Sequence, residues 1–343
     1  MSPGMMLGGA RGVATDFAGV AFSLIWAGAW RILLMLLPVL LYAVFARPVP
    51  VGRRTRALLL AAVLGGYGLG YDRFIARYQG LEGLTEEWPE SDLEMMDITV
   101  PDYIDRQPFS IYYMTVSGHC GYSLQENAQS RKNYDAVKDL DCSEAVKCYL
   151  AAQLELEKAM TSLLQQLEEA GIADDTVIVL SPDHYPYGLE RSAAWKTNRN
   201  YLCELLDVDK LTLFNRDSNT LIIWSGCLEG MDLQVDTPVY SLDILPTLSN
   251  LFGVPYDSRL LVGRDVFSEE MPLVLWPNYS WKTDRGTYDA AEGVFTPADG
   301  QEADQEYIDY VCALVRSKFS YCTQVQNTHY FRWLAQYLEE ENE

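Results

Sequence analysis

Val177–His184, reading VIVLSPDH, is the stretch that most restricts what this chain can fold into. A continuous apolar, β-branched run stops at Pro182, and an Asp-His pair follows. That is the pattern of a buried parallel strand delivering polar side chains at its carboxyl end. In open α/β sheets, ligands bind just outside those ends. Asp183 offers a hard anionic oxygen and His184 an imidazole nitrogen, a pair that suits Mn2+ or Zn2+ better than Ca2+. The same pair also fits a plain turn, because Asp after a strand commonly closes a turn or caps a helix.

The flanking sequence extends the α/β reading. Phe109–Val116 (FSIYYMTV) is rich in aromatic and β-branched residues and is predicted to be a strand. It ends in Ser117-Gly118-His119, a second strand-to-loop delivery of a polar side chain. Ser143–Ala170 is predicted to be a long amphipathic helix, with Val146, Tyr149, Leu150, Leu156, Met160, Leu163, Leu164 and Leu167 on one stripe and Gly171 closing it. Strand, helix and strand then make a βαβ unit with a right-handed crossover. Thr220–Ser225 is predicted to be a third strand, and Ser241–Phe252 a helix closed by Gly253. Ser91–Glu94 (SDLE) reads as a capping box for a short helix. The residues after 267 mix aromatic and acidic side chains without a clear period and read as a mixed or small-sheet C-terminal subdomain.

The N-terminal part is of a different character. Trp30–Ala46 is apolar apart from Arg31, and with Phe17–Trp26 it is long enough to cross a bilayer. Pro38 inside it is tolerable in a membrane helix. A loop carrying Arg47, Arg53, Arg54 and Arg56 leads to a second, Gly-rich apolar run from Ala57 to Gly70. If both runs span, the arginines hold the loop in the cytoplasm and the large domain lies outside. If only the first spans, the large domain is cytoplasmic. No cleavage site of the signal-peptide kind follows a short apolar core. The formal net charge of −22 falls on the C-terminal part. It argues against nucleic-acid binding, which needs a basic face, and an anionic substrate would need a bound cation beside it. Seven cysteines occur without a CxxC. Cys142 with Cys148, or Cys312 with Cys322, stand as candidate bridges if the domain is extracytoplasmic. Cys120 adjoins His119, but no second motif supports a cysteine nucleophile.

Three spaced elements carry a resemblance: SGH at 117–119, SPDHYPYG at 181–188, and SLDILPTLSNLFGVPYDSRLLVGRDVF at 241–267. Together they resemble the lipoteichoic acid synthase-like, sulfatase-type family of the alkaline phosphatase superfamily. Asp243, Pro246, Thr247, Gly253, Gly263, Arg264 and Asp265 match the last of its signatures. The resemblance implies a doubly wound α/β domain outside the cell membrane, and one divalent metal, usually Mn2+. It implies a phosphoglycerol transferase in which a threonine attacks a lipid-linked glycerol phosphate and forms a covalent intermediate. Asp183 and His184 then fall on two of the metal ligands, and His119 on the histidine that faces the substrate phosphoryl group. Such chemistry is physically coherent: a metal polarises phosphoryl oxygens, and a histidine binds phosphate or manages the leaving group's proton. Arg264 and Asp265 read as structural, an ion pair or a loop clamp.

The chain also departs from that pattern. The membrane segment runs almost directly into Gly70–Phe74, and no counterpart of the family's first metal-ligand glutamate or of its nucleophilic threonine is found. Thr85 reads as a helix cap before Glu86, Glu87 and Trp88, and Thr99 as part of an extended stretch before Pro101. Glu86 and Glu90 are the nearest acidic candidates for a further ligand. No C/S-x-P-x-R occurs, which disfavours sulfate-ester cleavage. The expected organisation is a membrane segment of one or two helices over 1–70, a partial sulfatase-like α/β domain over 71–267, and a C-terminal subdomain over 268–343. Because the first βα units are missing, the central sheet is expected to be incomplete, with an exposed edge and an uncovered apolar face. Two functional readings follow: a membrane-anchored, metal-dependent phosphoglycerol transferase or hydrolase, and a catalytically inactive remnant or interaction protein.

Overall fold

The computed structural model describes residues 70–119, 121–190, 200–231 and 233–341. The candidate membrane runs lie outside these residues except at Gly70. No helix among the described residues is long and apolar enough to cross a membrane. The chain divides after Gly80 into two compact units. Of the first, residues 70–80 are described. Within them Ala76 and Gln79 exchange backbone hydrogen bonds of 3.0 and 2.8 Å.

The second unit opens with α1 (Asp92–Thr99), α2 (Ala128–Asn133) and α3 (Glu144–Glu169). The strand β1 (Ile178–Leu180), the short helices α4 (Tyr201–Leu205) and α5 (Leu213–Arg216), and the strand β2 (Ile222–Trp224) follow. Then come α6 (Ile244–Leu251), the strands β3 (Val274–Leu275), β4 (Trp281–Thr283), β5 (Gly286–Asp289) and β6 (Val294–Pro297), and finally α7 (Gln305–Asn327) and α8 (Tyr330–Glu341).

The helix α3 organises the first half of this unit, and local chemistry sets both its ends. Ser143 caps it by accepting from Val146 N, and Glu144 places a negative charge in the first turn, where the helix dipole favours it. Neither Gly nor Pro interrupts it. At the far end Gly171 turns left-handed at φ 70°. There Ile172 N donates to Leu167 O and Gly171 N to Glu168 O, both at 3.0 Å, which satisfies the last carbonyls. The buried seam differs from the expected stripe. Val146, Leu163 and Leu167 are buried, but Leu150, Leu156 and Leu164 are only half-buried. The seam runs instead through Ala151, Ala152, Glu155 and Ala159, where small side chains let α1 and α2 pack close. Met96, Val100, Ala159, Leu163, Leu167 and Ile172 form one core cluster. A second gathers Tyr122, Ala145, Cys148, Leu189 and Leu202 at the other end of α3.

The sheets depart from the sequence expectation. The strand β1 forms where VIVL predicts one, but it pairs with β2 antiparallel, in the register Ile178↔Trp224, Val179↔Ile223 and Leu180↔Ile222. An apolar run carries no information on partner direction, and the long connection from Ser181 to Leu221 permits either. The strand residues are half-buried rather than fully buried. Among the described residues Phe109–Val116 joins no ladder, so the predicted βαβ unit lacks its first strand there. Phe109 and Tyr113 nonetheless lean on the first core cluster, while Ile111, Tyr112 and Met114 are exposed.

The C-terminal part is an antiparallel meander, β3-β4-β5-β6, covered by α7. Trp281 is fully buried and stacks on Tyr288 at 5.5 Å between ring centroids. Val311 and Val315 of α7 close the same core. The small sheet was expected; α7 and α8 were not. Their apolar positions are interspersed with tyrosines that are partly exposed, which blurs the helical period. The six described cysteines all carry free thiols, so neither candidate bridge is formed.

Candidate functional site

His119 is held at the end of a clamp built around Asp92. The Asp92 carboxylate accepts from Val116 N at 2.8 Å and from Ser117 N at 3.1 Å, and its own amide donates to Ser117 Oγ at 3.0 Å. All of this is buried: Asp92 is 1% exposed and Ser117 is fully enclosed. Burial pushes the Asp92 carboxyl up, and the hydrogen bonds from Ser117 and Val116 only partly offset that. Beyond the clamp, His119 N donates to Val116 O at 2.9 Å, Asn127 Nδ2 to His119 O at 3.2 Å, and the Tyr122 hydroxyl to Gly118 O at 3.0 Å. The imidazole meets Trp88 edge to face, with ring centroids 5.4 Å apart. Asp92 was read from sequence only as an acidic residue in a capping box. Its partners lie more than twenty residues downstream, and nothing in the local pattern points to them.

Asp183 and His184 follow β1, on the loop where the sequence places them. The Asp183 side chain is 89% exposed and that of His184 42%. His184 Nδ1 lies 2.8 Å from Tyr185 O, and Nε2 lies 3.5 Å from Asp183 Oδ1. The carbonyl contact selects the tautomer with the proton on Nδ1 and leaves the Nε2 lone pair available. An ion about 2.1 Å from each of two ligands in tetrahedral geometry holds them roughly 3.4 Å apart. The pair therefore fits two positions on one divalent ion. The loop is fixed from below: Arg216 stacks over the Tyr185 ring at 4.8 Å, and the Tyr185 hydroxyl donates to Glu190 at 3.0 Å. Arg216 in turn pairs with Asp217 at 2.7 Å, whose carboxylate accepts from Trp276 Nε1 at 2.9 Å.

Among the described residues no group of three or more His, Cys, Asp and Glu side chains is placed to hold a metal ion. Glu86 and Glu90 do not complete one, and His119 does not join Asp183 and His184 in such a group. The spacing of Asp183 and His184 suits two ligands of one divalent ion, and the described residues do not fit such an ion as a whole. Two clefts of about 830 and 810 Å3 border the C-terminal meander, and neither is lined by His119, Asp183 or His184. Cys120 lies outside the described residues.

The upstream threonines are engaged elsewhere. Thr85 is in a loop rather than at a helix start; it donates to Glu94 through its amide at 2.8 Å and through Oγ1 at 2.9 Å. Glu94 therefore does not return to Ser91, so only half of the expected capping box forms: Ser91 Oγ accepts from Glu94 N at 3.2 Å. Thr99 ends α1 instead of lying in an extended stretch. It is buried, its Oγ1 donating to Met95 O at 2.7 Å and meeting the Tyr113 hydroxyl at 2.7 Å.

The third element is a clamp, as the sequence suggests. Asp243 accepts from Arg264 N at 2.8 Å and from Tyr240 N at 3.1 Å. Thr247 Oγ1 donates to Asp243 O at 2.6 Å and accepts from Val266 N at 3.1 Å. Arg264 does not pair with Asp265; its guanidinium donates to the carbonyls of Asp265 and Val266 at 3.2 Å and to Thr237 Oγ1 at 3.1 Å. A Cβ on Gly263 would lie 2.1 Å from Leu242 O, so the crossing of these two segments requires glycine. Burial pushes the Asp243 carboxyl up despite the Arg264 and Tyr240 hydrogen bonds.

Comparison with known proteins agrees with this arrangement. The sulfatase family profile matches residues 62–254, more than half of the chain. The lipoteichoic acid synthase-like YvgJ of Bacillus subtilis is 22% identical over 64% of this chain and 35% of its own length. The lipoteichoic acid synthase of Staphylococcus saprophyticus is 24% identical over 49% of this chain and 25% of its own length. The chain thus spans about a third or less of the length of these relatives. Among solved structures, the lipoteichoic acid synthase LtaP from Listeria monocytogenes shares the fold, with a TM-score of 0.58 at 20% identity over 76% of this chain and 65% of that one. With its SGH, PDH and GRD elements placed as described, the chain belongs to the sulfatase family and has lipoteichoic acid synthases among its relatives.

Proposed function

We propose that this chain is a membrane-anchored, lipoteichoic acid synthase-like protein whose large domain lies on the outer face of the cell membrane. In this reading residues 1–70 are the membrane segment, 71–267 an incomplete doubly wound sulfatase-like domain, and 268–343 a C-terminal subdomain. Its partner is a membrane lipid or lipid-linked glycerol phosphate, held without phosphodiester turnover. The state of the two upstream threonines carries this reading. Thr99 is buried in hydrogen bonds to Met95 and Tyr113, and Thr85 is tied to Glu94, so neither is a nucleophile beside Asp183 and His184.

The second reading, metal-dependent phosphoglycerol transfer, draws support from one observation. His184 is held in the ligand tautomer with Nε2 at a bite distance from Asp183. What this chain's own residues would contribute is limited. Asp183 and His184 would hold one side of a Mn2+ ion, and His119, braced by the Asp92 clamp, would donate to a phosphoryl oxygen. When bound, such an ion would supply positive charge beside an otherwise acidic domain.

Mn2+ titration of the full-length chain, read by the electron paramagnetic resonance signal of free Mn2+, tests the half-site. Two ligands predict weak binding, on the order of millimolar, lost in Asp183→Ala and in His184→Ala alike. Tight binding, or binding indifferent to both substitutions, contradicts it.

A further inference from the structure

A relay of side chains runs from the C-terminal meander to the loop that carries Asp183 and His184. It starts at Trp276, directly after β3, whose backbone is fixed in a turn: Trp276 N donates to Ser280 O at 3.0 Å and Tyr279 N to Trp276 O at 2.9 Å. The Trp276 ring meets Phe214 of α5 edge to face, with centroids 5.0 Å apart. Its Nε1 donates to Asp217 Oδ2 at 2.9 Å. Asp217 accepts from Arg216 in a two-pronged pair, Nε to Oδ1 at 2.7 Å and Nη2 to Oδ2 at 3.1 Å. The guanidinium lies over the Tyr185 ring at 4.8 Å, and Tyr185 O lies 2.8 Å from His184 Nδ1.

Each link is directional in a way that plain packing is not. Neighbouring residues on a helix do not face each other, so Arg216 and Asp217 pair only because α5 ends at Arg216 and Asp217 turns off it. The forked contact fixes the plane of the guanidinium, which a lysine would leave free. That plane decides how the cation sits on the tyrosine face. Trp276 binds the same Oδ2, so a carboxylate that swings away from Arg216 gives up the indole bond too. Tyr185 is held on its ring face by Arg216 and at its hydroxyl by Glu190. Its carbonyl is thereby kept against His184 Nδ1. The alternative tautomer, with the proton on Nε2, would aim that proton at Asp183 Oδ1, 3.5 Å away, and close the pair on itself.

We propose that Trp276, acting through Asp217 and Arg216, is a positioning residue for His184, so that the meander holds the histidine in the form with Nε2 open. What the open form serves rests on the reading of Asp183 and His184 as a ligand pair. The relay itself does not.

The chain has three histidines, His119, His184 and His329, which makes their ring nitrogens separable. The test is solid-state nitrogen NMR of the full-length chain with labelled histidine, frozen at about pH 8.5, where an ordinary imidazole is neutral. The His184→Asn variant identifies the His184 signals. The parent should carry the His184 proton on Nδ1. Trp276→Phe keeps a ring against Phe214 without the N–H, and Arg216→Lys keeps the charge without the fork. Each should move at least about a third of the His184 signal to the Nε2–H form while His119 and His329 keep theirs. Three results would overturn the proposal: a parent His184 already protonated on Nε2, an unchanged His184 in either variant, or a change at all three histidines. The last would assign these contacts to the stability of the whole unit. No metal is added, so the outcome is separate from Mn2+ binding and from turnover.

Discussion

Glu155 sits at the centre of α3 with its carboxylate fully enclosed, and its neighbours explain why it is tolerated there. Lys132 Nζ donates to it at 2.7 Å and Asn133 Nδ2 at 3.0 Å, and the Ser91 hydroxyl closes the set. Burial alone would raise its carboxyl, but the hydrogen bonds from Lys132, Ser91 and Asn133 and the Lys132 charge outweigh it and leave it lowered. A lowered carboxyl stabilises the fold above its ordinary value of 4.5 and loses that contribution as pH falls through the folded value. Asp92 runs the other way: its raised carboxyl contributes most below 3.8 and progressively less as pH rises through the folded value. Urea unfolding of Glu155→Gln between pH 3 and 6 should therefore show lower stability at pH 6 and a flatter acid limb than the parent. An unchanged acid limb would place the titrating group elsewhere. For Asp92→Ala, which strands two buried amides at the root of the His119 loop, the expected loss is about 2–4 kcal/mol by urea unfolding, with Asp92→Asn losing less because it keeps one acceptor. A loss below about 1 kcal/mol would mean that water reaches those amides.

At the level of elements, α3 should be the most sensitive. Leu167→Ala opens space in the cluster that joins α1, α3 and the 109–116 segment, at an expected cost of about 2–4 kcal/mol in denaturant midpoint analysis. Leu164→Ala, half-buried one turn away, should cost clearly less. Equal losses would place the seam where the sequence stripe alone puts it. The ends of α3 were legible because Ser143 and Gly171 act within one turn of themselves. The same holds for α6 and Gly253, where local hydrogen bonds set the boundary. Strand direction was not legible in VIVL, since a ladder partner is chosen by tertiary packing and not by the strand's own residues. Phe109–Val116 has every local property of a strand and still forms no ladder, because a strand requires a second strand and none of the described ones is available. Of the candidate site, Asp183, His184 and His119 stand out in the sequence because each lies a few residues after an apolar run. Trp88, Asp92, Asn127 and Tyr122 could not, because their contacts to the His119 loop are made by chain folding rather than by spacing.

For the whole molecule, the family is established while its chemistry is divided. The GRD clamp, the Asp92 clamp and the PDH loop are each held by local hydrogen bonds. The proposed reading, a domain that keeps the family frame without turnover, rests on Thr85 being tied to Glu94 and Thr99 to Met95 and Tyr113. Mn2+-dependent cleavage of a glycerophosphodiester, with the full-length chain compared against its His184→Ala variant, distinguishes the two readings. No turnover above buffer is expected for either protein at saturating Mn2+. Turnover by the parent chain that disappears in His184→Ala would contradict it and make this an active metal-dependent enzyme.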